Sequence, residues 1–115
     1  MESVLLVGQC IGDPLGLRIL ALLRDREALC ACELYRALRL PRNQVDRRLI
    51  KMREAEVIEE MQHGRWLEYR LRGKHRRIVD EIFASYAEEL SWDSLLSRDR
   101  THVAEEVANR VDNWC

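Results

Sequence analysis

Apolar positions recur with a helical period along most of the chain. Residues 3–11 form a short apolar run that stops at Gly12-Asp13-Pro14, and Pro14 suits the first turn of a new helix. Leu15, Ile19, Leu20, Leu22 and Leu23 carry that second helix through Arg24. Asp25-Arg26-Glu27 is a polar connection. A third helix is predicted to begin near Cys30–Glu33 and to end at Leu38, with Ala31, Leu34, Tyr35 and Leu38 as its stripe. Arg39-Leu40 makes a short turn. A fourth helix then runs from about Pro41 to Ala55, with Val45, Leu49 and Met52 facing inward.

The period then changes. Val57–Met61 and Arg65–Leu71 read as short strands, and Gly64 in Gln62-His63-Gly64 suits the positive φ of a three-residue hairpin loop. Beyond them, Lys74 to Leu90 predicts one long amphipathic helix, with Val79, Ile82, Phe83, Tyr86 and Leu90 on its stripe. A last helix, about His102 to Trp114, shows Val103, Val107, Val111 and Trp114.

Two short helices with a tight turn, over residues 30–55, match a helix-turn-helix. On a 100° wheel Asn43, Arg47 and Lys51 point away from the apolar stripe of the second one. Gln44 and Arg48 lie on one shoulder and Asp46 on the other. A basic hairpin at 57–71 directly after it is a wing, with His63 and Arg65 at the tip as candidate phosphate or minor-groove contacts. Residues 1–11 and 74–115 offer more apolar stripe than a small winged helix needs internally, so they are expected to build a dimer interface. The predicted fold is mainly α with a small β-hairpin wing: a dimeric winged helix-turn-helix, one domain over 1–115.

Composition narrows the function classes. With 47% apolar and 34% charged residues in 115, the chain is globular, with one modest core. No apolar run approaches the ~18 residues of a membrane span. Val4–Val7 lacks the flank and length of a signal peptide. A cytoplasmic address is therefore expected, with reduced thiols and no membrane partner. The net charge of −1 conceals a segregation. Residues 41–78 carry eleven basic and six acidic groups, and residues 79–115 three and nine. A basic middle section suits a polyanion such as double-stranded DNA. No nucleophile–base set, phosphate loop or metal-hydrolase motif stands out, so no enzyme is expected. Cysteines at 10, 30, 32 and 115 have neither zinc-finger nor CxxC spacing.

Five segments together resemble the arsenic-repressor (ArsR/SmtB) family of winged-helix metal sensors. Gly12-Asp13-Pro14-Leu15-Gly16-Leu17-Arg18-Ile19-Leu20 is similar to that family's GDPxRLRIL opening, and Leu29–Leu34 to its ELCVCDL ligand motif. Val45-Asp46-Arg47-Arg48-Leu49 corresponds to VSRHL, Met52–Val57 to LREAGL, and Gly64–Leu71 to the GRWVxYRL wing. Their order and spacing make the set specific over residues 8–72. The resemblance implies a homodimeric repressor of an arsenic or heavy-metal resistance operon. It would hold operator DNA through Asn43, Gln44, Arg47, Arg48, Lys51, His63 and Arg65. As(III), Sb(III) or another thiophilic ion at Cys30 and Cys32 would release it. The departures are Gly16 for arginine, Asp46 for serine, Arg48 for histidine, Glu56 for a helix-ending glycine, and Tyr35 where some arsenite repressors carry a third cysteine.

Residues i and i+2 of a helix point about 200° apart, whereas two thiolates on one ion need sulfurs roughly 4 Å apart or less. Either the pair lies in an extended segment, or binding unwinds the helix start. A ligand that prefers the distorted state then disfavours DNA binding. The helix N-terminus is expected to lower the thiol pKa. Cys10, Cys115 and an external thiol are the candidates for a third ligand. His75, Asp80 and Glu81 do not reproduce the zinc-sensor spacing of the C-terminal helix. His102 is expected to cap or face solvent. Two other readings stay open: a redox or persulfide sensor on the same fold, and a winged-helix interaction module that has lost DNA binding.

Overall fold

The structure, a computed structural model, describes residues 1–110. Its elements are α1 (Glu2–Ile11), α2 (Pro14–Asp25), β1 (Leu29–Cys30), α3 (Ala31–Leu38), α4 (Arg42–Glu54), β2 (Ile58–His63), β3 (Trp66–Leu71), α5 (Gly73–Ser85), α6 (Ala87–Trp92) and α7 (Ser94–Ala108). Asp13 caps α2 by accepting the Gly16 amide at 2.8 Å, with Pro14 in the first turn. Ile19, Leu20, Leu22 and Leu23 of α2 are buried almost completely. They meet Leu34 of α3, Val45, Leu49 and Met52 of α4, and Val79 of α5 in one core. The helix-turn-helix and the wing are therefore fixed to α2.

The departure at Gly16 has a steric reason. A Cβ there would stand 2.3 Å from the carbonyl oxygen of Cys10, so the end of α1 presses on the first turn of α2 where only glycine fits. At the end of α4, Glu56 takes φ +59, the left-handed conformation that glycine adopts without strain. Its side chain is exposed, with Lys74 Nζ 3.9 Å away. Replacing Glu56 with glycine is expected to stabilise the protein by roughly 0.5–1 kcal/mol in urea denaturation.

The sheet has the order β1-β3-β2, all antiparallel. The hairpin register pairs His63 with Trp66, so the loop is only Gly64-Arg65, with Gly64 at φ +62. The three-residue loop of the sequence reading is thus shortened, because His63 belongs to β2. The extra strand β1 was not expected. It pairs Leu29 with Tyr69 and Cys30 with Glu68, which joins the segment before α3 to the wing.

The C-terminal half differs most from expectation. The long helix breaks at Tyr86 (φ −111, ψ 28) into α5 and α6. The apolar spacing hides this break, because Phe83, Tyr86 and Leu90 keep a helical period across it. The last helix starts at Ser94, eight residues earlier than predicted, where Asp93 accepts the Leu96 amide at 2.9 Å. Leu96, Asp99 and Val103 of this helix are buried within the chain, so part of its predicted stripe packs on the domain itself. Arg18 of α2 holds Asp99 with two nitrogens, at 2.8 and 2.9 Å, and donates to the carbonyl of Leu38 at 3.0 Å. His102, expected to cap or face solvent, is half-buried with Nδ1 3.0 Å from the Ala37 carbonyl. Val111 and Trp114 lie outside the described residues. Apolar side chains that stay exposed include Val4 and Leu5 on α1, Ile78 on α5, and Tyr86 and Trp92 around α6. No single helix among the described residues is long and apolar enough to cross a membrane.

Candidate thiol site and nucleic-acid interface

Cys30 ends β1 and is the N-cap of α3, with extended backbone (φ −81, ψ 160). Cys32 lies in the first turn of the helix. Both are buried. The pair therefore straddles a strand–helix junction, with Cys30 extended and Cys32 helical, so the two do not share one extended segment. Glu33, at the third helical position, accepts the Cys30 amide on Oε1 at 2.9 Å. That is the reciprocal half of a capping box. A pocket of about 100 Å³ opens beside Cys30, lined also by Glu33, Trp66, Glu68 and Arg110. Trp66 and Glu68 come from β3, so the pocket touches the wing strand as well as α3.

The expected lowering of the thiol pKa by the helix start does not prevail. Burial pushes the Cys30 thiol up and outweighs the opposing amides of Glu33 and Cys32. Cys10 is a free thiol, whereas Cys32 is disulfide-bonded. Cys10 is buried, and its thiol is likewise raised by burial. It lines a different groove with Gln9, Gly12, Asp13 and Arg48, so within one chain it is not brought to Cys30. Cys115 lies outside the described residues. Among the described residues no three His, Cys, Asp or Glu side chains cluster as a metal site, and His75, Asp80 and Glu81 do not form one.

Glu33 and Arg110 are the residues that sequence reasoning missed. Glu33 is 3% exposed and accepts from Arg110 Nε at 2.7 Å on Oε2 and from Nη2 at 3.1 Å on Oε1. Burial pushes its carboxyl up, but the bonds from Arg110 and Cys30 together leave it below the ordinary carboxylate value. The Cys30-x-x-Glu33 spacing is a capping-box signal and could have revealed Glu33. Nothing in the sequence pattern pairs Glu33 with a residue so distant.

On α4, Asn43, Gln44, Arg47 and Lys51 are exposed, as expected. Gln44, Arg47, Arg48, Lys51 and Asp13 line a groove of about 510 Å³ beside α2. Arg48 is not freely outward: its Nη2 is 3.0 Å from Asp13 Oδ1, which ties it to the cap of α2. Asp46 accepts from the Tyr35 hydroxyl, and the guanidinium of Arg42 stacks 4.7 Å from the Tyr35 ring centroid. Burial and the Asp46 bond push the Tyr35 hydroxyl up to about 12, so it stays a donor at neutral pH. The departures at 35, 46 and 48 are thus absorbed by contacts within the chain. His63 and Arg65 are exposed at the wing tip, with His63 Nδ1 3.6 Å from Glu68 Oε1.

Comparison with known proteins decides the family. Residues 13–60 match the family model described as bacterial regulatory protein, arsR family. Over 101 residues the chain is 31% identical to the arsenic resistance transcriptional regulator ArsR1 of Pseudomonas putida, spanning 87% of this chain and 77% of that one. The chain belongs to the arsR family. It is accordingly a winged-helix transcriptional regulator and not an enzyme. Among solved structures, an arsR-like fold recurs in HlyU from Vibrio cholerae (TM-score 0.67, 17% identity, 74% of this chain and 92% of that one). It also recurs in the repressor BigR from Xylella fastidiosa (0.63, 18%, 72% and 85%) and the repressor PagR of Bacillus anthracis (0.62, 24%, 70% and 92%). These likenesses support the fold. The arsR-family match runs from the cap of α2 into the first half of β2, the segment that carries Cys30, Cys32 and α4.

Proposed function

We propose that the protein is a cytoplasmic, homodimeric repressor of an arsenic or heavy-metal resistance operon. It binds operator DNA through Asn43, Gln44, Arg47, Lys51, His63 and Arg65, with Arg48 available once it leaves Asp13. The exposed apolar residues of α1 and α5 supply the dimer contact. As(III), Sb(III) or a similar thiophilic ion takes the reduced thiols of Cys30 and Cys32, with a third sulfur from Cys10 of the partner subunit, from Cys115 or from a small thiol. The observation that carries this reading is the placing of two buried cysteines across the joint between the wing sheet and the first helix of the helix-turn-helix. Both thiols on one ion require that joint to deform, and the ligand then favours the state that does not fit DNA.

The chemistry separates effectors. Arsenous acid condenses with thiols: each As–S bond formed replaces an As–OH bond, and the hydroxyl leaves as water with the thiol proton. A divalent cation must instead displace that proton into solution. Because Cys30 stays protonated at neutral pH, the arsenite needed for half-release should hardly change between pH 6 and 8. For Cd(II) it should fall about tenfold per pH unit for each thiol proton displaced.

The test is fluorescence anisotropy on promoter DNA, with reductant present. Wild type is expected to bind with affinity that falls steeply with salt, and to release DNA on adding arsenite. Cys30→Ser should keep the DNA affinity and lose the response. An unchanged arsenite response in that variant removes the proposal. A redox reading is favoured by one observation, the disulfide-bonded state of Cys32. It requires release by oxidant alone, reversed by reductant, with no response to arsenite.

A further inference from the structure

α7 runs antiparallel to α3 and is fixed to it along its length. Arg18 joins Asp99 to the last turn of α3, and His102 meets the Ala37 carbonyl. Arg36 lies 3.5 Å from Glu106, and Arg110 reaches Glu33 at the other end. That last contact is built differently from an ordinary surface ion pair. One buried carboxylate serves both the amide of Cys30 and the guanidinium of Arg110. The same guanidinium donates to the Ala28 carbonyl at 2.9 Å. Arg110 therefore spans the two-residue strand β1 from the residue before it to the helix after it. It also forms part of the wall of the pocket beside Cys30.

We propose that Glu33 and Arg110 are positioning residues for the Cys30 thiol, and that through them α7 sets the effector concentration at which the protein lets go of DNA. The proposal rests on the reading of Cys30 as an effector ligand. In the ligand-free geometry Glu33 holds the Cys30 peptide N–H, and Arg110 holds Glu33. Bending the Cys30–Cys32 backbone to bring both thiols onto one ion moves that N–H away from the carboxylate. The Arg110 clasp resists the movement, because it anchors both sides of the segment that must bend. A ligand that bends it works against the clasp, so by linkage an intact clasp raises the ligand concentration needed. Weakening the clasp at Arg110 leaves both cysteines and the DNA-facing side chains in place.

The experiment compares wild type with Arg110→Gln and Arg110→Lys. In ligand-free reduced protein, hydrogen exchange of the amides from Cys30 to Leu34 should speed up by roughly tenfold in Arg110→Gln, with amides of α4 unaffected. The arsenite concentration for half-release of promoter DNA should fall by about fivefold or more. Arg110→Lys should stand between the two. Exchange at Cys30–Leu34 that is unchanged in Arg110→Gln overturns the clasp. So does an unchanged or raised arsenite half-point in a wild-type-responsive protein. Wild type that ignores arsenite refutes the effector reading instead, and with it the threshold role of α7. The exchange result then still decides whether the clasp holds the segment.

Discussion

Replacing Asp99 with alanine is expected to lower the unfolding free energy by about 3–5 kcal/mol, measured by urea denaturation. Asp99 is 2% exposed and is the carboxylate that neutralises Arg18, whose side chain is itself largely buried. Removing it leaves a guanidinium in the interior with one carbonyl partner, that of Leu38. An uncompensated buried charge is far costlier than the modest net worth of the intact pair. The damage should extend along α7, because Asp99 ties it to Arg18 of α2, which in turn holds the Leu38 carbonyl at the end of α3. A leucine at 99 should not rescue, whereas the double replacement Arg18→Met with Asp99→Leu should recover a large part of the loss, since it removes both charges together. Equal stability of Asp99→Ala and wild type would show that the pair is not buried in solution.

Gly16→Ala should be the most damaging single methyl group in the protein. Its Cβ would meet the Cys10 carbonyl oxygen at 2.3 Å, and the neighbouring backbone carbon at 3.1 Å. Backbone on both sides must shift, because no flexible side chain is available to yield. Overpacking of this kind costs about 1–3 kcal/mol or more. The arginine that the family commonly has at this place should be no better tolerated. Thermal denaturation reads the effect directly, and a variant as stable as wild type would mean that α1 does not pack on α2 in solution.

Much of this fold was legible from periodicity alone. α2, α3 and α4 begin and end within a residue or two of their apolar stripes, because each buries one face against a shared core. Gly64 announced its turn, and Glu56, which stands where the family has a helix-ending glycine, takes the glycine-like conformation. What stayed hidden depends on distant partners. The two-residue strand β1 exists only because β3 offers it an edge. The break at Tyr86 leaves no gap in the apolar spacing. The stripe of α7 said that a face is buried but not against what, and Val103 turns out to pack within the chain. In the thiol site the cysteines were plain, while their control was not. The acidic residue three beyond Cys30 signalled a cap, but only the folded chain brings Arg110 to it. The helix-start effect on the thiol was also overestimated from sequence, because burial at a sheet–helix joint opposes it more strongly.

The contact between Tyr35 and Asp46 has a consequence for how such a regulator can diversify. Tyr35 lies one turn beyond Cys32 on α3, the helix proposed to take the effector, and Asp46 lies on α4, the helix proposed to read DNA. The pair is one lock with a key in each function. Introducing a third thiol at 35 strips Asp46 of its donor and turns a carboxylate loose beside DNA phosphates. Restoring a serine at 46 leaves the half-buried Tyr35 hydroxyl without its acceptor. Under the proposed roles of α3 and α4, effector choice and operator choice are therefore coupled, and a substitution that changes one disturbs the other.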